Sequence, residues 1–163
     1  MDHRLIVNLP CFTVDAYNPK YVSGRILALD VGKKRIGLAV SDELGWTAQG
    51  LETLERTRIR EDLAHLKDLA DRWSIETLLV GQPLHMSGEQ SRQGEYTREF
   101  AARLQEHLKL PVVFWDERLT SAEAERLLRE SGATLEKRKQ AVDRIAAVLL
   151  LESYLEYRGA GLA

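Results

Sequence analysis

The sequence predicts an α/β fold built on a mixed sheet, and three observations carry that expectation. Two apolar segments, Arg25–Asp30 and Arg35–Ser41, are separated by a glycine-containing turn short enough for a hairpin. A third strand pattern over Gln49–Arg56 extends them into an antiparallel meander. Beyond it, helical and strand patterns alternate, which implies parallel neighbours joined by crossovers, with helices on both faces.

The elements follow in order. Ile59, Leu63, Leu66, Ala70 and Trp73 recur at helical spacing and predict an amphipathic helix. Glu76–Val80 reads as a short buried strand, stopped by Gly81-Gln82-Pro83. Tyr96, Phe100, Leu104 and Leu108 line one face of a second helix, and Val112–Trp115 is the fifth strand. Thr120-Ser-Ala-Glu123 has the form of a capping box and opens a helix to about Glu130. A basic loop, Glu136–Lys139, is expected before a last helix over Gln140–Tyr157. Residues 1–23 carry Pro10, Asn18 and Pro19 with no clear period, so an N-terminal extension, loosely ordered or packed as an arm, precedes a single domain over 24–158 and a short tail over 159–163.

Composition narrows the class. The 163 residues are 44% hydrophobic and 29% charged, as expected of one soluble globular domain. The net charge of −2 does not advertise a nucleic-acid binder, although local patches matter more than the sum. Cys11 is the single cysteine, so no intramolecular disulfide forms and a reducing compartment is expected. The run Ala146–Leu151 is far too short to span a membrane, and MDHRLIVNLPCFTVDAYNPK lacks the apolar core of a signal peptide. The expected location is the cytoplasm, with no membrane partner.

Three acids stand where apolar residues would be expected. Asp30 ends a strand that is apolar at four successive positions, although aspartate shortly before glycine also suits a turn. Asp116 and Glu117 end the fifth strand, and because side chains alternate, one of the pair shares the face of Asp30; the sequence alone does not decide which. Asp143 lies in a last helix that is apolar almost all round, where it also suits a first helical turn. Three carboxylates brought to one sheet edge repel unless a cation joins them. Oxygen donors suit Mg²⁺ or Mn²⁺, whereas His3, His65, His85 and His107 are too scattered for zinc. Two such ions about 3.5–4 Å apart are the usual device for phosphodiester displacement.

The acids fall in three of four ordered stretches, LALDVGKKRIGLAVSD, LLVGQPLHMSG, DERLTSAEA and AVDRIAAVLLLESYL. Together, from about Gly24 to Arg158, they resemble the YqgF (RuvX) family of RuvC-like pre-16S rRNA nucleases. The resemblance implies a ribonuclease H-like fold with a five-stranded mixed sheet ordered 3-2-1-4-5. It implies a metal-dependent endonuclease that matures the 5′ end of 16S rRNA on ribosomal precursor particles, with Holliday-junction resolution as the alternative. Carried across residue by residue, it makes Asp30, Glu117 and Asp143 the catalytic metal ligands, with Asp116 as second choice for the middle one. Gly81, Pro83 and Gly88 match a loop beside the site. The chain departs from the family where a small hydroxyl residue often follows the first glycine, since Lys33 stands there.

Cations adjoin each acid: Lys33, Lys34 and Arg35 after Asp30, Arg118 beside Glu117, and Lys137, Arg138 and Lys139 before Asp143. They are read as a phosphate-binding rim around a metal centre, giving recognition of backbone and shape in structured RNA or branched DNA. Arg56, Arg58 and Arg60 read as ordinary solvated cations. Monomer and homodimer are both open, and a non-catalytic ribosome-assembly factor is a further reading.

Overall fold

The structure, a computed structural model, describes residues 24–82, 92–116 and 120–160. The extension over 1–23, Pro83, Gly88, Glu117, Arg118 and the last residues of the tail lie outside the described residues.

The chain opens as a hairpin of β1 (Arg25–Val31) and β2 (Arg35–Ser41), antiparallel, with Leu27 opposite Val40 and Asp30 opposite Gly37. The Gly32 N–H closes the turn on the Arg35 carbonyl at 2.9 Å. A Cβ at Gly32 would lie 2.6 Å from that same oxygen, so the turn requires glycine. Next come β3 (Ala48–Gly50) and β4 (Leu54–Glu55), both antiparallel to β2. Helix α1 (Ile59–Arg72) crosses to β5 (Ile75–Gln82), parallel to β1, and α2 (Arg92–Leu108) crosses to β6 (Val112–Asp116), parallel to β5. Helices α3 (Thr120–Glu130) and α4 (Leu135–Ala160) complete the described chain.

The sheet order is β3-β2-β1-β5-β6, with β4 also beside β2. Among the described residues six strands replace the expected five, because the predicted third strand is split. The ladder lapses around Glu52 and Thr53 and resumes where the Arg56 N–H reaches the Lys34 carbonyl at 2.9 Å. Taken as one interrupted strand, β3 and β4 restore the predicted order 3-2-1-4-5.

Two further boundaries move. Gly81 and Gln82 do not stop β5, because they pair in register with Trp115 and Asp116 of β6. The predicted basic loop over Glu136–Lys139 is helical. The Arg138 N–H already bonds the Thr134 carbonyl at 2.8 Å, and this stretch is rich in strong helix formers. Asp143 therefore lies more than two turns inside α4, and the first-turn explanation for an acid there falls away.

Strand alternation divides the core into two layers. Leu27, Leu29, Val31, Ile36, Leu38, Val40, Leu78, Val80, Val112 and Phe114 pack with Leu63 and Leu66 of α1 and Phe100 and Leu104 of α2. The opposite face presents Ile26, Ala28, Ala39, Leu79 and Val113 to Ala147, Leu150, Leu151 and Tyr154 of α4. Small residues on that second face let α4 lie close to the sheet. Trp115 borders this layer, edge-on to Tyr154 with ring centres 5.4 Å apart, and donates from Nε1 to Ser153 at 3.1 Å. Burial pushes the Tyr154 hydroxyl above its ordinary pKa of 10.0.

At the opposite end of the hairpin, a register shift between Arg25 and Ile26 interrupts the β1–β5 ladder. The buried Ser41 hydroxyl accepts the Ile26 N–H there at 2.8 Å. Beyond Ser41, Asp42 Oδ1 accepts the N–H groups of Trp46 and Thr47, and the Thr47 bond holds this carboxyl below its ordinary 3.8. Among the described helices, none is long and apolar enough to cross a membrane.

Candidate active site

The site is built from the parity of β1. Ile26 and Ala28 belong to the α4 face, so Asp30, two residues further on, belongs to it as well. Asp30 is half-buried at the carboxyl end of the strand, the edge where open α/β sheets place their ligands. Its cross-strand partner is Gly37. One step beyond the Leu29–Val80 pair, Asp30 comes level with Gly81, so glycines neighbour it on both adjoining strands.

Gly37 brings in the second acid. A Cβ built there would lie 1.9 Å from the Asp143 carbonyl oxygen and 3.0 Å from its Cα. The backbone of α4 thus rests directly on β2 at the residue paired with Asp30, an approach only glycine permits. Gly37→Ala is expected to destabilise the protein by about 1–3 kcal/mol, since the clash is with backbone and the helix must shift. Urea or thermal denaturation checks this, and an unchanged midpoint would contradict the close contact.

Arg35 lies two residues before Gly37 on the same face. Its Nε donates to Asp143 Oδ2 at 2.9 Å, with 31% and 23% of the two side chains exposed. Arg35 therefore points inward onto an acid. Lys33 and Lys34 are exposed at the turn, and Lys137 is exposed on the first turns of α4. Arg138 is half-buried, and its Nε has no hydrogen-bond partner among the described residues. Lys139 lies in α4, and Asp116 ends β6 opposite Gln82, but both side chains lie outside the described residues.

The structure thus brings together Asp30, Asp143 and Arg35. Among the described residues, no three His, Cys, Asp or Glu side chains form a group able to hold a metal ion. Asp30 and Asp143 offer two half-buried carboxylates, an all-oxygen donor set that suits Mg²⁺ or Mn²⁺. His65 and His107 are exposed on α1 and α2, so neither alters that chemistry. Trp46, 77% exposed, sits at the end of the hairpin away from Asp30 and gives the site no stacking platform.

Two residues of this neighbourhood escaped the sequence reading. Gly37 could have been found, because a glycine inside an apolar strand marks a close backbone approach. Arg56 is a correction. Arg58 and Arg60 are exposed as expected, but the Arg56 side chain is 9% exposed and pairs with Asp62, 1% exposed, at 3.2 Å. It also donates to the Gly32 carbonyl at 3.2 Å and to the Tyr96 hydroxyl, and its guanidinium carbon lies 4.7 Å from the centre of the Phe100 ring. It ties the β1–β2 turn to both helices of that face. Nothing in its local sequence distinguishes it from its two solvated neighbours, because its partners come from distant elements.

A mixed sheet with an acid ending its first strand, and a second acid laid across the neighbouring strand by the last helix, defines a ribonuclease H-like fold. Solved structures share it. Thermus thermophilus RuvC in complex with a Holliday junction substrate matches with a TM-score of 0.52 at 15% identity, over 83% of this chain and 96% of that one. The fowlpox virus resolvase in complex with Holliday junction DNA matches with a TM-score of 0.53 at 15% identity, over 82% and 97%. The chain belongs to the RuvX family, whose model, described as Holliday junction resolvase, matches residues 24–157. A relative from Koribacter versatilis named "Putative pre-16S rRNA nuclease" is 55% identical over 86% of this chain and 92% of its own length. A relative of the same name from Syntrophomonas wolfei is 48% identical over 81% and 94%.

Proposed function

We propose that this chain is a divalent-metal-dependent endonuclease that processes the 5′ end of the 16S rRNA precursor in the cytoplasm. The observation that carries the proposal is the seating of Asp143 on Gly37, the residue paired with Asp30. It gathers carboxylates from the first strand and the last helix at one edge. The names borne by close relatives favour the RNA substrate.

In this reading Asp30, Glu117 and Asp143 hold two Mg²⁺ or Mn²⁺ ions. Glu117 is preferred to Asp116 by its place in the DERLTSAEA motif. Such ions supply water activation and charge stabilisation at phosphorus. The chain's own residues orient the backbone. Lys33, Lys34, Arg118, Lys137, Arg138 and Lys139 bind its phosphates, and Gly81, level with Asp30 on β5, leaves room for it. Lys33 takes up by charge the place where the family often has a hydroxyl.

The test is cleavage of a 16S precursor fragment and of a four-way DNA junction, each with Mg²⁺ or Mn²⁺ and with excess chelator. Cleavage of the RNA that chelator abolishes is expected. Cleavage of the junction alone favours the resolvase activity in the family's description, and inertness toward both favours a non-catalytic assembly factor. Lys33→Ala with Lys34→Ala is expected to weaken RNA binding whatever the sequence. It should flatten the plot of log affinity against log salt by roughly one for each phosphate that the turn no longer neutralises. An unchanged slope in a salt titration removes this turn from the interface.

A further inference from the structure

We propose that Arg35 competes with the divalent cation for the carboxylate of Asp143 and so sets how much metal the site requires. The inference rests on the metal-site reading above and adds to it a device that tunes loading. The Arg35–Asp143 contact is a charge-assisted hydrogen bond at 2.9 Å, and it takes a lone pair on Oδ2 that a metal ion would need. Strand parity holds Arg35 on the α4 face two residues from Gly37, so the guanidinium stays near Asp143 even when displaced.

Exposure makes the exchange reversible. Both side chains are about a quarter to a third exposed, and an ion pair so open to water is weak. The Arg56–Asp62 pair on the other face, 9% and 1% exposed, has no such access. A fixed positive charge a few ångströms from the donor oxygens also repels any incoming cation.

The experiment is titration with Mn²⁺ alone, followed by the paramagnetic resonance of the free ion, on wild type, Arg35→Gln, Arg35→Lys and Asp30→Asn. Arg35→Gln is expected to bind Mn²⁺ roughly tenfold tighter, from removal of one nearby charge. Arg35→Lys, which keeps the charge, is expected to stay closer to wild type than Arg35→Gln. Arg35→Met retains the apolar stem and serves in the same titration should Arg35→Gln fold poorly. Unchanged or weaker Mn²⁺ binding after removal of the charge overturns the competition and leaves Arg35 as a residue that positions Asp143. Mn²⁺ binding that is equal in wild type and Asp30→Asn, or absent from both, overturns the metal-site reading itself and this inference with it.

Discussion

Replacing Asp30 by asparagine is expected to lower metal-dependent cleavage by roughly a thousandfold while leaving the fold intact. The exchange is nearly isosteric and the residue is half-buried, so it opens no cavity. In the proposed site it removes one of the carboxylates gathered at the sheet edge, which would ease repulsion in the metal-free protein. Under the proposed site, what it removes is a charged oxygen donor to the metal ions. Metal-centred stabilisation of a phosphoryl transition state amounts to several kcal/mol, and each ~1.36 kcal/mol is tenfold in rate. The measurement pairs the cleavage rate of an end-labelled precursor with the thermal midpoint of the same preparation. A well-folded Asp30→Asn protein that cleaves at the wild-type rate would rule out the proposed site.

The second large effect is on stability. Asp62→Ala is expected to cost about 3–5 kcal/mol, because it leaves the Arg56 guanidinium charged and uncompensated in a buried place. For a chain of this size that is a drop of roughly 10 °C in Tm. Asp62 also accepts the Thr57 N–H at 3.0 Å, so the entry to α1 loosens with it. Replacing both partners by leucine is expected to recover most of the loss, since an apolar pair of similar volume needs no counter-ion. Urea denaturation of the single and double variants decides the matter. A double variant no more stable than Asp62→Ala would mean that the bonds from Arg56 to Gly32 and Tyr96, and not the ion pair, carry the energy.

The fold was legible where hydrophobic period and turn chemistry acted alone. β2 and α3 fall where the pattern places them, and β1 and α1 differ by one residue. The misplaced boundaries depend on partners that local sequence does not show. β5 continues through Gly81 because β6 offers it hydrogen bonds, and α4 begins at Leu135 because Thr134 accepts an early N–H. Asp30 and Asp143 were legible because an acid in an apolar context stands out. That Arg35 turns onto Asp143, while Lys33 and Lys34 face water, was not, since three consecutive cations look alike until a helix docks on one face of the strand.

The contact between Gly37 and α4 also bears on the order in which the protein matures. β1 and β2 leave the ribosome early and pair locally, whereas α4 follows every strand of the sheet. Domains form as the chain is made, from the N-terminus onward. In a nascent chain β1 and β2 are therefore present while Gly37 is still bare and Asp143 is yet to be synthesised. Interrupted synthesis leaves a sheet without its second carboxylate, so under the proposed site the metal-binding edge is completed only by the final docking step.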